Sequence, residues 1–345
     1  MRYCCPECFD DNGFRTDIFP ALKQSHGVCD FCGTEDVDLV DPRSLSVYFE
    51  LLAGVYEQGR DGKTLVEWMK EDWGLFTHPR MDMAHAKELL AEILDDGEVV
   101  RQLFVPSSDC LSDGLVQWET LRDEMMYRNR WFLDVAFDNE RLEGWLSLLI
   151  AKDIPEKWFR ARLTSGAPCY GIEDMSAPPK RLSSHGRANP AGIPYLYLGS
   201  LPETAVSEVR PHTGDTACVA DFSIDVEGEI KVVDLRTPRS TVSPFVLSDT
   251  LAIGQLRAYM PLLERLGEEL TRPVLPSGAA IDYIPSQYLC EFIKKCGYHG
   301  VIYRSSVSDG INLALFDPGK AVGGRVEMYE VGRVSVDVIR IRVRE

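Results

Sequence analysis

Gly186-Arg187-Ala188-Asn189-Pro190-Ala191-Gly192-Ile193-Pro194-Tyr195-Leu196-Tyr197-Leu198 runs from a Gly/Pro-rich turn into a short aromatic strand, and Thr204-Ala205-Val206-Ser207-Glu208-Val209 follows as a helix with one acid on its inner side. Glycine and proline punctuate the turn, and the apolar run behind them reads as a strand. Turn, strand and helix in that order set a guanidinium (Arg187), a phenol (Tyr197) and a carboxylate (Glu208) around one cleft. Such a set suits a phosphorylated ligand beside a carboxylate that steadies positive charge. Glu203, earlier on the same helix, reads as the exposed acid.

Outward from this stretch, short β-rich runs alternate with helices. Residues 158–163, 195–198, 217–224, 230–233, 300–303 and 312–316 read as strands, and 202–209, 249–270 and 286–296 as helices, which is an α+β pattern. Residues 327–331 and 334–344 alternate apolar with polar and predict a terminal hairpin with a bulge near Val338-Ile339.

Three ordered pieces carry a resemblance. Trp158-Phe159-Arg160-Ala161-Arg162, the stretch from Arg187 to Glu208, and Gly297-Tyr298-His299-Gly300-Val301-Ile302-Tyr303-Arg304-Ser305-Ser306 together resemble the RES domain, named for an arginine, a glutamate and a serine. The likeness spans residues 155–320. Ala188 and Arg304 stand where many members carry a tryptophan and a proline. The resemblance implies a compact fold like that of ADP-ribosyltransferases and an activity that consumes NAD, by hydrolysis, phosphorolysis or transfer of ADP-ribose to a protein. It also implies a toxin or defence effector held by a protein antitoxin.

Within that reading each residue has a chemical task. NAD breaks between the nicotinamide nitrogen and ribose C1 through an oxocarbenium-like state, so Glu208 beside the ribose would stabilise the growing charge. Arginine donates two parallel hydrogen bonds to a pyrophosphate and keeps its charge. Arg160 and Arg162, two apart on a strand, share a face; Arg160 follows an aromatic residue as the family arginine does, and Arg187 is the second clamp. Tyr197 offers a ring to stack and a hydroxyl. Asn189 offers its amide to the cleft or shapes the turn before Pro190, and His185 borders the entrance. Ser305 matches the family serine better than Ser306 and suits a hydrogen bond to Glu208 or the ribose. No histidine and acid are spaced near it to suggest an activated triad. Asn312 falls on a central strand.

The first 40 residues differ in kind. Cys5-Pro6-Glu7-Cys8 and Cys29-Asp30-Phe31-Cys32 are two Cys-x-x-Cys knuckles, four thiolates for a tetrahedral zinc, with Cys4 an alternative to Cys5. With all four positions taken by sulfur, the metal would serve folding. Residues 41–152 carry helical spacing in Leu45, Val47, Tyr48, Leu51, Leu52 and Tyr56, then in Ala84, Leu89, Leu90 and Ile93, and later in Trp118, Leu121 and Met125. The order of zinc ribbon (1–40), helical block (41–152) and RES domain (153–345) resembles proteins in which a HEPN-like domain precedes RES. Arg80 and His85 fit the loose spacing of HEPN ribonucleases, a competing reading. A binding-only sensor is another.

Composition bounds the rest. A chain of 345 residues with 45% hydrophobic and 26% charged residues describes a globular protein with room for more than one core. Its net charge of −17 opposes nucleic acid, whose affinity comes from neutralised phosphates. No apolar run is long enough for a membrane span, and paired cysteines point to metal in a reducing compartment, so a cytoplasmic location is expected. A homo-oligomer is compatible with all of this.

Overall fold

The computed structural model describes residues 2–166, 168–224, 230–275, 277–335, 338 and 340. Two compact units emerge: Met1–Glu124 with Phe132–Leu149 and Thr237–Arg265, and Met125–Trp131 with Ile150–Arg236 and Leu266–Glu345.

In the first unit, β1 (Ser25–Gly27) and β2 (Val37–Leu39) form a small antiparallel pair next to the cysteines. Helices α1 (Ser46–Ala53), α2 (Leu65–Trp73), α3 (Met83–Leu94), α4 (Gly114–Tyr127) and α5 (Asn139–Ser147) follow, with β3 (Tyr56–Lys63) paired to β4 (Phe104–Pro106) among them. The ends are set locally. The Glu67 carboxylate accepts the Thr64 N–H at the start of α2, and Gly74 closes that helix at φ 67°. Asp82 caps α3 by accepting from the N–H groups of Ala84 and His85. Two readings of the helical pattern need correction. Tyr56 opens β3 rather than extending α1, since the chain leaves the helix at Gly54, and Val47 is exposed.

The core of this unit is aromatic. Phe9, Phe14, Phe49 and Phe76 pack ring on ring, and Phe245 joins them with its ring centroid 4.2 Å from that of Phe14. Segment 237–265, which in sequence interrupts the sheet of the other unit, is thus part of this core. Ser243 Oγ donates to Asp11 Oδ1 at 2.8 Å, and Arg257 Nε to Asp72 Oδ2 at 2.6 Å. Helix α7 (Thr250–Thr271) starts in the first unit and ends in the second.

The second unit is a seven-stranded sheet in the order β11-β7-β5-β6-β10-β9-β8. Its strands are β5 (Lys157–Thr164), β6 (Leu196–Gly199), β7 (Thr216–Ile224), β8 (Val232–Asp234), β9 (Gly300–Arg304), β10 (Ile311–Leu315) and β11 (Ala321–Glu330). Among the described residues only β8 and β9 run parallel. Helices α6 (Pro202–Glu208) and α8 (Ile284–Lys295) complete it. The architecture is α+β, and each strand expected between 158 and 316 overlaps an observed one. Trp158, Leu196, Leu198, Phe222, Ile302, Leu313 and Leu315 build the core on one sheet face. On the other face α6 packs Ala205 against Ala161 and Val219.

Two outcomes were not legible in the pattern. Cys169 and Cys218 form a disulfide; Cys169 follows β5 and Cys218 sits on β7, so strand pairing brings together cysteines far apart in sequence. The first arm of the expected terminal hairpin falls within β11, which pairs with β7, whereas the second, 334–344, lies largely outside the described residues. Among the described residues no helix is long and apolar enough to cross a membrane.

Candidate active site

The sheet opens between β5 and β6. Among the described residues these strands share one Cα pair, Phe159 with Gly199. Beyond it, Arg160 and Ala161 on one side and Tyr197 and Leu198 on the other line a cavity of about 490 Å³, within the range that holds a small ligand. Glu208 and Val209 at the end of α6, Arg187, His185, Tyr303, Asn312 and Tyr283 line it too. Three arginines (160, 187, 210) and one glutamate face this space, so the cavity is basic within an acidic chain.

Glu208 is held from one side. Its Oε1 accepts from Ser305 Oγ at 2.7 Å and from Asn312 Nδ2 at 2.6 Å. Its Oε2 has no hydrogen-bond partner among the described residues. Ser305 follows the last residue of β9 and Asn312 lies on β10, so adjacent strands fix one oxygen of the carboxylate and leave the other for a ligand.

Arg160 lies on a buried strand, and its Nη1 has no hydrogen-bond partner. Burial, with the like charge of Arg162 second, draws its pKa down to about 10. It therefore stays charged at neutral pH. Arg187 is braced from behind: Nη1 donates to the Arg272 carbonyl at 2.7 Å, past the end of α7, and the guanidinium sits 5.4 Å from the Tyr283 ring centroid. The turn that carries it is pinned to α8, where Ser286 Oγ donates to the Arg187 carbonyl and Gln287 Nε2 to the Gly186 carbonyl.

Tyr197 and Asn189 work as a pair. The Tyr197 hydroxyl donates to Asn189 Oδ1 at 2.7 Å and accepts from the Ala188 N–H at 2.9 Å. Burial pushes its pKa up. Gly186 makes this possible, because a Cβ there would lie 2.5 Å from Asn189 Oδ1 and 2.7 Å from the Tyr197 hydroxyl oxygen.

Arg160, Arg187, Tyr197 and Glu208 thus surround one space, with Ser305 bonded to Glu208. Two other candidates stand apart: Arg162, against expectation, and Asn189, which takes the second of its two readings. Arg162 is absent from the cavity lining; its Nη2 donates to the Ser176 carbonyl and its guanidinium lies 6.0 Å from the Tyr170 ring centroid. Strand parity put it on the Arg160 face, but the cavity starts where β5 leaves β6, and Arg162 lies under the loop that follows β5. Asn189 is buried, and its Nδ2 reaches the carbonyls of Ser184, Pro190 and Ile193, so it shapes the turn. Asn312, Tyr303 and Tyr283 were missed as site residues. The signal for Asn312 was a lone amide inside an apolar strand, which needs a partner when buried; the two tyrosines carried none.

In the first unit the thiols of Cys5, Cys8, Cys29 and Cys32 are buried and lie within 4.8 Å of one another. Tetrahedral zinc with bonds of roughly 2.3 Å sets its sulfurs roughly 3.8 Å apart, so the donor set fits. Cys4 is outside the cluster and pairs with Val40 across a β-bridge, which separates it from Cys5. Arg80 Nη1 donates to the Gly33 carbonyl at 3.0 Å beside the second knuckle, while His85 Nδ1 is 2.9 Å from Asp82 Oδ1 at the start of α3. Each has a local structural task, and no contact joins them.

No curated protein matches the chain significantly. One similar solved chain comes from the crystal structure of the M. tuberculosis MbcT-MbcA toxin-antitoxin complex, with 13% identity over 55% of this chain and 93% of that one, at a TM-score of 0.32. The family model for the RES domain matches residues 157–337, just over half of the chain and all of the strands that carry the cavity. This chain belongs to the RES domain family.

Proposed function

We propose that this chain consumes NAD by breaking the bond between nicotinamide and ribose, as a hydrolase or a phosphorylase, and that it acts as a toxin or defence effector. The observation that carries the reading is Glu208, fixed through Oε1 by Ser305 and Asn312 with Oε2 unengaged, in the same cavity as Arg160 and Arg187. When the C1–nitrogen bond breaks, its electron pair leaves on nicotinamide and positive charge grows on the ribose. The Glu208 carboxylate opposes that charge, and a preorganised anion acts without reorganising at the moment of reaction. Arg160 and Arg187 hold the pyrophosphate, and the Tyr197 ring borders the ribosyl half. Water attacking C1 gives ADP-ribose and a proton; phosphate gives the ribosyl phosphate.

Four thiolates leave no open coordination site, so zinc on Cys5, Cys8, Cys29 and Cys32 would serve folding of residues 1–40. The N-terminal 150 residues and a separate protein that covers the cavity are the proposed restraints on the activity. Incubating purified protein with NAD, with and without phosphate, and following nicotinamide and the ribosyl product by mass tests the reading. Release of nicotinamide with ADP-ribose or its phosphate is expected. ADP-ribose found on protein instead would select the transferase chemistry, and no release at any condition would end the proposal.

A further inference from the structure

One phenol in the cavity, that of Tyr303, makes no hydrogen bond among the described residues. Tyr303, on β9, pairs in register with Asn312 on β10, so both side chains leave the sheet on the cavity face. It is 4% exposed and lines the cavity, yet its hydroxyl has no hydrogen-bond partner among the described residues. Tyr197 differs in this respect, since its hydroxyl is satisfied from both directions within the protein. Its oxygen is not sealed from solvent, so it opens onto the cavity, where a bound ligand can replace water as its partner.

Its surroundings say what the partner is. Burial first, then Tyr197 and Glu208, push the Tyr303 pKa well up, while Arg187 pulls the other way. The phenol therefore stays protonated at neutral pH and is a donor. It also lies within the fields of both the Glu208 carboxylate and the Arg187 guanidinium. In a dinucleotide whose scissile C1 meets the carboxylate and whose pyrophosphate meets the guanidinium, the ribose lies between.

We propose that Tyr303 contacts the substrate, its hydroxyl donating a hydrogen bond to a hydroxyl of the ribose that carries nicotinamide. This rests on the NAD reading and adds a residue to it. The contact orients the sugar so that C1 faces the free oxygen of Glu208.

The test is Tyr303→Phe in the full chain, which deletes one oxygen and keeps the ring. An unchanged or raised melting temperature with roughly 10-fold lower kcat/KM for NAD is expected. With NAD analogues lacking the 2- or the 3-hydroxyl of that ribose, variant and wild type should converge for the analogue that lacks the bonded hydroxyl. Wild-type protein alone gives a second check, since that same analogue should lose roughly as much as the variant does. A variant equal to wild type on NAD and on both analogues assigns Tyr303 to packing and overturns the proposal. Wild-type protein that neither releases nicotinamide nor binds ADP-ribose in calorimetry overturns the NAD reading, and the ribose contact with it.

Discussion

Asn312 Nδ2 and Ser305 Oγ converge on a single oxygen of Glu208, at 2.6 and 2.7 Å. Both bonds are charge-assisted and fix one oxygen of the carboxylate, leaving Oε2 without a hydrogen-bond partner among the described residues. Replacing Asn312 with Leu removes one donor without adding charge. Bonds to a charged group contribute about 1.5–3 kcal/mol, so nicotinamide release should fall about 10- to 100-fold in kcat with a smaller change in KM. Glu208→Gln should cost about 10²- to 10³-fold, the usual loss for a preorganised charge. Steady-state kinetics on both variants decides; equal activity of Glu208→Gln and wild type would remove the carboxylate from the mechanism.

Arg160 sets stability against binding. Its Nη1 is buried without a hydrogen-bond partner, and an unsatisfied buried group costs about 1–3 kcal/mol. Arg160→Leu should therefore raise the melting temperature while weakening ADP-ribose binding, measured by calorimetry. The pH dependence follows from a guanidinium drawn below its usual range, down to about 10. A lowered folded pKa opposes folding at every pH below about 10, and the penalty fades as pH rises from there toward the unfolded value. The stability gain in the Leu variant should stay constant from pH 6 to about 9 and shrink above about 10. A gain that varied near neutrality would contradict this.

Gly186 is a space requirement. A methyl group there would press on Asn189 Oδ1 and the Tyr197 hydroxyl, so Gly186→Ala should separate that pair and shift the Arg187 turn. Raised KM for NAD and a destabilisation of about 1–3 kcal/mol are expected from denaturant melts. Ala191, exposed on the same turn, is the control site, where Ala191→Ser should change neither.

Metal removal should act on folding. One zinc per chain is expected by elemental analysis, with Cys29→Ser reducing it and lowering the melting temperature. A chelator should expose the Phe9, Phe14 and Phe49 cluster to dye binding. A metal-free protein with unchanged melting behaviour would leave the four cysteines without this role.

Removing residues 1–152 should not yield a soluble RES half. Phe245, Ile253, Leu256, Met260 and Leu263 are buried, and they lie on the segment that belongs to the first unit. Cutting the chain at 152 leaves that segment without Phe14 and Phe49, a large apolar patch that favours aggregation. Sedimentation of the 153–345 fragment checks this; a monodisperse fragment would contradict it.

Much of the fold could be read from the chain, because strands and helices in the second unit are written in local periodicity and punctuated by glycine and proline. The spacing of Cys5, Cys8, Cys29 and Cys32 likewise placed four donors together, since each Cys-x-x-Cys turn is a local structure. That Glu208, Arg160, Arg187 and Tyr197 would line one cavity was legible through the ordered motifs; their roles there are part of the proposal. Register was not. Whether Arg162 follows Arg160 into the cavity depends on where β5 parts from β6, and whether Asn189 meets a ligand or its own turn depends on which carbonyls surround it.

The sequence by itself determined that this chain carries an α+β RES domain, two cysteine knuckles and several of the residues that line one cavity, because periodicity and motif order are properties of neighbouring residues. Tertiary structure alone decided that Asn312 and Tyr303 join that cleft, that Cys169 meets Cys218 and that Phe245 closes a core begun by Phe9 and Phe14. Each of these pairs residues distant along the chain, and only strand register and side-chain packing bring such residues into contact.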